Sequence, residues 1–303
     1  MSTLKKYLSL VKFSHTIFAL PFAMIGFFLA IVKTDINLNE DARLGFGIQF
    51  PENWQLILAK FFLVLVCMVT ARSAAMAFNR YLDRSFDAKN PRTAIREIPQ
   101  GIISPNSALR FVIVNCLIFT VATYTINPIC FFLSPVALFV ILFYSYTKRF
   151  TALCHLVLGL GLSLAPIGAF LAVTGHFSVL PILFSFTVLF WVSGFDIIYA
   201  MQDIDFDQSH QLRSIPSVLG AKKALKISEA LHVLSAITVV AAGWYGGFHF
   251  GYWVGVIVFI GMLIYQHSIV KFNDLSRVNI AFMTANGIAS VVFGVLVIVD
   301  LYL

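Results

Sequence analysis

The sequence predicts an all-α integral membrane protein with nine transmembrane helices and a cytoplasmic N-terminus. Three observations carry that prediction. Hydrophobic residues make up 59% of the chain and charged residues only 12%, about half the charged share of a soluble protein. The apolar runs approach about 20 residues, the length of a bilayer-spanning helix, and exceed that of barrel strands. Lysine and arginine gather in alternate connections between those runs.

The nine segments cover roughly 13–32, 56–77, 108–126, 129–146, 153–173, 180–201, 224–243, 252–270 and 278–300. The first follows Lys5, Lys6 and Lys12, as in a signal peptide. It lacks a small-residue cleavage site and contains Pro21, so it reads as a membrane helix. Arg80, Arg84, Lys89, Arg92 and Arg96 follow the second segment; Lys148 and Arg149 follow the fourth. Arg213, Lys222 and Lys223 follow the sixth, and Lys271 and Arg277 the eighth. The opposite connections at 174–179 and 244–251 carry no basic residue. This asymmetry puts the N-terminus in the cytoplasm and, with nine helices, the C-terminus outside. The net charge of +7 is then loop charge and not a nucleic-acid footprint.

The remaining features read as structure. The 33–53 connection is an outer surface loop without a motif. Cys67, Cys116, Cys130 and Cys154 have no paired spacing and read as thiols in apolar segments. The glycines of 159–169 are no phosphate loop, because no strand precedes them; they permit close helix contact, with a kink at Pro166. The 31 phenylalanines pack helices and face lipid, with a minority available to line an apolar substrate cavity. The seven histidines, His15 among them, show no ligand spacing.

Chemistry concentrates in two stretches. At about 100° per residue, Arg72, Asn79, Asp83 and Asp87 fall on one helical stripe. Asp196, Asp203 and Asp207 repeat the offsets of Arg72, Asn79 and Asp83. Ionisable groups at the ends of membrane helices are costly and usually serve ions or substrates. A single stripe could be a solvated loop; two stripes with one spacing, each followed by basic residues, need a common explanation. Carboxylates at four-residue intervals suit Mg²⁺, which completes its shell with water and substrate phosphates. Lys89, Arg92 and Arg96 are placed to meet phosphate oxygens. The chemistry that fits is a diphosphate held by carboxylate-bridged Mg²⁺.

These residues carry a resemblance. Asn79-Arg-Tyr-Leu-Asp83-Arg-Ser-Phe-Asp87, followed by Asn90-Pro-Arg92-Thr93 and Arg96-Glu-Ile-Pro-Gln-Gly101, resembles the first signature of the UbiA-type aromatic prenyltransferases. Asp196-Ile-Ile-Tyr199-Ala-Met-Gln-Asp203-Ile-Asp-Phe-Asp207 resembles the second, and Tyr144-Ser-Tyr-Thr-Lys148-Arg149 the intervening motif. The chain has Arg80 where the family commonly has an aspartate, which leaves the stripe of three intact. The resemblance implies one transmembrane prenyltransferase domain over 1–303, a nine-helix bundle whose central cavity is capped by two cytoplasmic loops. It implies a polyprenyl diphosphate donor and an aromatic acid acceptor, 4-hydroxybenzoate or a dihydroxynaphthoate, in ubiquinone or menaquinone biosynthesis. By the same carry-over, Asn79, Asp83 and Asp87 hold one Mg²⁺, Asp203 and Asp207 a second, and Arg92 and Lys148 the diphosphate. Asp196 takes an acceptor-side role. Tyr199 either orients a neighbour or is an interfacial tyrosine. Arg72 either snorkels to the surface or grips the acceptor carboxylate with its two-pronged guanidinium. Arg213 is a phosphate ligand or a loop cation. The expected setting is a bacterial inner membrane with the active-site mouth on the cytoplasmic side. The partners are the substrates and the bilayer, with no nucleic acid and no obligate protein partner.

Two other protein classes place carboxylates in a membrane. CDP-alcohol phosphotransferases keep their aspartates in one stretch opening Asp-x-x-Asp-Gly, which this chain lacks. A cation-coupled transporter explains intramembrane carboxylates but not the Arg92 and Lys148 partners.

Overall fold

The computed structural model describes residues 3–11, 18–33, 43–44, 48–49 and 53–303. His15, Lys12 and most of the 33–53 loop lie outside the described residues. The backbone forms two compact units, residues 1–16 with 38–146 and residues 17–37 with 147–303.

The first unit holds α1 (Thr3–Leu10), strands β1 (Arg43–Leu44) and β2 (Ile48–Gln49), and helices α3 (Asn53–Leu82), α4 (Arg84–Asp87), α5 (Pro105–Ile126) and α6 (Pro128–Thr147). β1 and β2 pair antiparallel, Arg43 opposite Gln49. α3 has 30 residues and is therefore about 45 Å long. It runs five residues past the predicted end at 77, which puts Asn79 on regular helix. Small residues close the packing of α3 on α5: Ala74, Ala77 and Ala108 are fully buried, with Leu10, Ile98 and Ile103 around them. α5 starts sharply because Ser104 Oγ accepts from Ser107 N at 3.2 Å and Pro105 occupies the first turn. Asn127 ends α5 and opens α6, its Oδ1 accepting from Cys130 N at 2.9 Å.

The second unit holds α2 (Leu20–Lys33), α7 (Cys154–Thr174), α8 (Val179–Ala200), a 3₁₀ turn (Met201–Asp203), α9 (Ile204–Ser209), α10 (Ile215–Leu219), α11 (Ala221–Gly246), α12 (Phe250–Ile269), a π turn (Ile280–Ala285) and α13 (Asn286–Leu301). Gly159 permits close helix contact as predicted, and α7 continues through Pro166. A Cβ on Gly26 would collide with the Pro166 carbonyl, and one on Gly159 with Ser193 and the Leu189 carbonyl. Phe22, Trp191, Phe259 and Phe293 form the aromatic centre. Asp300, near the end of α13, caps α12 by accepting from His249 N at 2.8 Å and Tyr252 N at 3.1 Å. Buried His232 links α8, α11 and α12: its Nε2 meets the Trp191 carbonyl at 3.3 Å and its Nδ1 meets His267 Nε2 at 2.9 Å.

Eight described helices are long and apolar enough to cross a membrane. They coincide with eight of the nine predicted segments. The ninth corresponds to Leu20–Val32, an apolar helix shorter than the rest.

Candidate active site

The first acidic stripe sits where α3 gives way to α4. The helical hydrogen-bond ladder survives the change: Asp83 N donates to Asn79 O at 2.9 Å and Asp87 N to Asp83 O at 2.8 Å. Each step is one turn, so the three side chains stay on one face. Asn79 Nδ2 donates to Asp83 Oδ2 at 3.1 Å. Asp87 is 6% exposed, and Arg96 holds it from the following loop, its guanidinium nitrogen 2.8 and 2.9 Å from the two carboxylate oxygens.

That loop is itself anchored. Arg80, next to Asn79 but on another face, is buried in an ion pair with Glu97, which also accepts from Ser9 Oγ. Arg80 therefore has a structural role where the family commonly places a carboxylate. Asn90 Oδ1 accepts from Arg92 N at 2.9 Å, and Thr93 Oγ1 donates to Asp87 O at 3.2 Å. Gly101 closes the loop at φ +68°, a conformation in which a side chain would be strained. Arg72 lies seven residues before Asn79, about 10 Å along the helix. Its Nε is buried with no hydrogen-bond partner.

The second stripe, in the other unit, is broken where the first is nearly continuous. α8 ends at Ala200, and the 3₁₀ turn places Asp203 before α9 begins. Burial still separates the ligand candidates from their neighbour: Asp203 and Asp207 are buried, whereas Asp205 is exposed. Asp207, at 0% exposed, meets Lys148 Nζ at 2.7 Å through Oδ1 and accepts from Ser214 Oγ at 3.0 Å through Oδ2. Ser214 is fixed by a capping box with Ser217 at the start of α10. Asp196 points elsewhere: its Oδ2 meets His155 Nδ1 at 2.7 Å. Tyr199 packs against Phe282 of the π turn in a tilted pair, centroids 4.2 Å apart. Arg213 donates from its backbone to Lys148 O at 2.7 Å and from its side chain to Phe150 O at 3.3 Å. It thus holds the Lys148 turn in place.

Residues 44–288 match the UbiA prenyltransferase family, and that match decides between enzyme and transporter. The chain belongs to this family. It is a prenyltransferase and an integral membrane protein. The 4-hydroxybenzoate octaprenyltransferase of Tolumonas auensis is 31% identical over 253 residues, covering 80% of this chain and 88% of the relative. That of Xylella fastidiosa strain M12 is 30% identical over 73% of this chain and 74% of its own. Among solved structures, a UbiA homologue from Aeropyrum pernix K1 superposes with a TM-score of 0.79 at 31% identity, covering 94% of this chain and 98% of that one. A homologue from Archaeoglobus fulgidus bound to GPP and Mg²⁺ shares the fold, with a TM-score of 0.71 at 19% identity over 98% of this chain and 100% of that one.

The two UbiA-type groups are chemically suited to a hard cation that brings its own phosphate ligands. No cluster of three His, Cys, Asp or Glu side chains able to hold a metal occurs among the described residues. Mg²⁺ does not require one: it commonly takes one or two carboxylates and fills its shell with water and substrate oxygens. Asp83 with Asp87, and Asp203 with Asp207, supply such pairs. The last residue of each pair is held by a basic side chain, which offsets the cost of burying its charge. His155 is the residue that sequence reasoning missed. It lies seven residues after Lys148 and 41 before Asp196, a spacing with no local periodicity.

Proposed function

We propose that this protein transfers a polyprenyl group from polyprenyl diphosphate to the ring of 4-hydroxybenzoate, with Mg²⁺, in quinone biosynthesis. The observation that carries the reading is the pair of carboxylate groups, each with its last aspartate buried against a basic side chain. The names of the relatives support 4-hydroxybenzoate as acceptor. The basic-residue asymmetry supports a bacterial inner-membrane protein with N-terminus and active-site mouth on the cytoplasmic side, and nine spanning helices.

In this reading Asn79, Asp83 and Asp87 hold one Mg²⁺, and Asp203 and Asp207 a second. When bound, Mg²⁺ offsets the charge of the diphosphate, as a Lewis acid does for a departing phosphate. Arg92 and Lys148 take the remaining oxygens. Cations fixed there matter most when the allylic C–O bond breaks and its electron pair leaves with the diphosphate. Arg72 binds the acceptor carboxylate, and its partnerless Nε fits that task. Asp196 accepts a hydrogen bond from the phenol hydroxyl, raising the electron density of the ring. A ring carbon then forms the new C–C bond, and the ring proton leaves to a base. Tyr199, packed against Phe282, orients Asp196 or the diphosphate.

The test is product formation by the purified protein given polyprenyl diphosphate, 4-hydroxybenzoate and Mg²⁺. Prenylated 4-hydroxybenzoate that disappears with EDTA and returns with Mg²⁺ supports the reading. Transfer to a dihydroxynaphthoate and not to 4-hydroxybenzoate replaces the acceptor. Absence of any prenylated aromatic acid overturns it.

A further inference from the structure

His155 opens α7 and is 2% exposed. Its two ring nitrogens face different partners. Nδ1 lies 2.7 Å from Asp196 Oδ2, and Nε2 accepts from the backbone N–H of Ile215 at 3.3 Å. A ring nitrogen that accepts a backbone N–H carries no proton itself. The single proton of a neutral imidazole is therefore on Nδ1, pointing at the carboxylate. The histidine is clamped from behind by the start of α10, whose preceding residue Ser214 is the one that bonds Asp207. The Asp196 carboxylate itself is partly open: its side chain is 24% exposed against 3% for His155. Its Oδ1 makes no hydrogen bond or ion pair among the described residues.

Asp196 thus differs in kind from Asp87 and Asp207. Those two are neutralised by a guanidinium and an ammonium. Asp196 is held by the imidazole Nδ1 of His155 from another helix, which fixes its direction. One oxygen is occupied and the other is free to accept a hydrogen bond.

We infer that His155 is a positioning residue for the acceptor: it locks Asp196 as an oriented anion whose free oxygen takes the phenol hydroxyl of the aromatic substrate. The inference rests on the proposed transfer to a phenolic acid and extends it to a histidine with no place in the acidic motifs. His155 does not touch the substrate; it acts through Asp196. The contact is an uncommon kind of support, because α7 and α10 together set the side chain that α8 carries.

The experiment compares wild type with His155→Phe, which keeps a ring but no donor, and His155→Asn, whose amide nitrogen stands near the place of Nδ1. Each purified full-length protein is assayed with varied 4-hydroxybenzoate and varied polyprenyl diphosphate. Thermal midpoints are recorded alone, with 4-hydroxybenzoate, and with inorganic diphosphate plus Mg²⁺. In His155→Phe, kcat/KM for the acid should fall about tenfold to a hundredfold, the loss of one oriented charge-assisted bond. KM for the prenyl diphosphate should stay within about threefold, since Lys148 and Asp207 are untouched. Stabilisation by 4-hydroxybenzoate should vanish while stabilisation by diphosphate and Mg²⁺ persists. His155→Asn should recover acid kcat/KM to within about fivefold of wild type. Unchanged acid kinetics in His155→Phe overturn the inference. So do equal losses for both substrates with no recovery in His155→Asn, which would make His155 a packing residue. If His155→Phe does not fold, His155→Ala takes its place as the variant without a donor: a loss confined to the acid supports the inference, and one shared by both substrates, or no loss, overturns it. A wild-type protein that transfers nothing overturns the function itself, a result distinct from either.

Discussion

Replacing Arg72 tests the division of the site between donor and acceptor. Arg72 lies on the same stripe as Asn79 but about 10 Å deeper along α3, and its Nε is buried without a partner. A buried guanidinium N–H that meets a carboxylate gains a charge-assisted bond worth about 1.5–3 kcal/mol. Arg72→Ala should therefore raise KM for 4-hydroxybenzoate roughly tenfold to over a hundredfold. KM for polyprenyl diphosphate should change less than about threefold, because Asn79, Asp83 and Asp87 keep their ladder and Arg96 keeps Asp87. Arg72→Lys should fall between, since it keeps the charge but loses the planar fork. The assay is steady-state transfer in detergent with each substrate varied at saturating partner. Phenol, which lacks the carboxylate, is the control and should react equally well with wild type and Arg72→Ala. If Arg72→Ala weakens the prenyl diphosphate and leaves the acid unchanged, Arg72 belongs with the phosphate ligands and the assignment is wrong.

Other substitutions probe the metal groups, the scaffold and the topology. Asp83→Asn and Asp207→Asn should each remove nearly all transfer while the protein still purifies folded from membranes; near-normal turnover at saturating Mg²⁺ contradicts the metal assignment. Glu97→Ala leaves Arg80 buried without its counter-charge, a loss of about 3–5 kcal/mol, and should lower the thermal midpoint in detergent far more than Glu97→Gln. Reporter fusions after Lys148 and after Ala221 should read cytoplasmic and one after Gly247 external; a cytoplasmic signal at Gly247 breaks the nine-helix topology. Mg²⁺ should bind more tightly in the presence of inorganic diphosphate, and diphosphate more tightly with Mg²⁺ by the same factor; independent titrations would count against shared ligands.

The helices were legible because hydropathy records what a bilayer demands of a spanning segment. Their polar ends were less so. The run from Phe78 to Leu82 contains Asn79 and Arg80 and lies past the apolar segment that ends at 77, yet α3 continues through it. Arg80 can remain on the helix because Glu97, 17 residues on, answers its charge. The first stripe survived from sequence to structure because its four-residue spacing is the period of the ladder that carries it. The second did not survive as a single helix. The 3₁₀ turn at Met201–Asp203 interrupts it, and Asp196, left on α8, turns to a histidine from another helix. No spacing in the chain announces that pair. Likewise the π turn at Ile280–Ala285 has no signature in sequence. Asn286 stabilises it through the tertiary fold, donating to Phe282 O at 3.0 Å while its Oδ1 accepts from Trp191 and Gln266.

The two acidic groups share a wiring that explains how they exist at all. In each, the last aspartate is buried and a basic side chain from outside its helix holds it: Arg96 for Asp87, Lys148 for Asp207. Removing either partner would leave a buried charge uncompensated, which is costly. With both present, the last aspartate of each group has its counter-charge before any ligand arrives. That sets the terms on which a cation can enter. To give its oxygens to a divalent ion, Asp207 must release part of its hold on Lys148, and Asp87 on Arg96. The displaced ammonium or guanidinium then needs a new anion. A diphosphate arriving with the metal supplies one, whereas the metal alone does not. On the proposed function, the side chains that hold Asp87 and Asp207 would then turn toward phosphate, and metal and donor would be favoured together over either by itself.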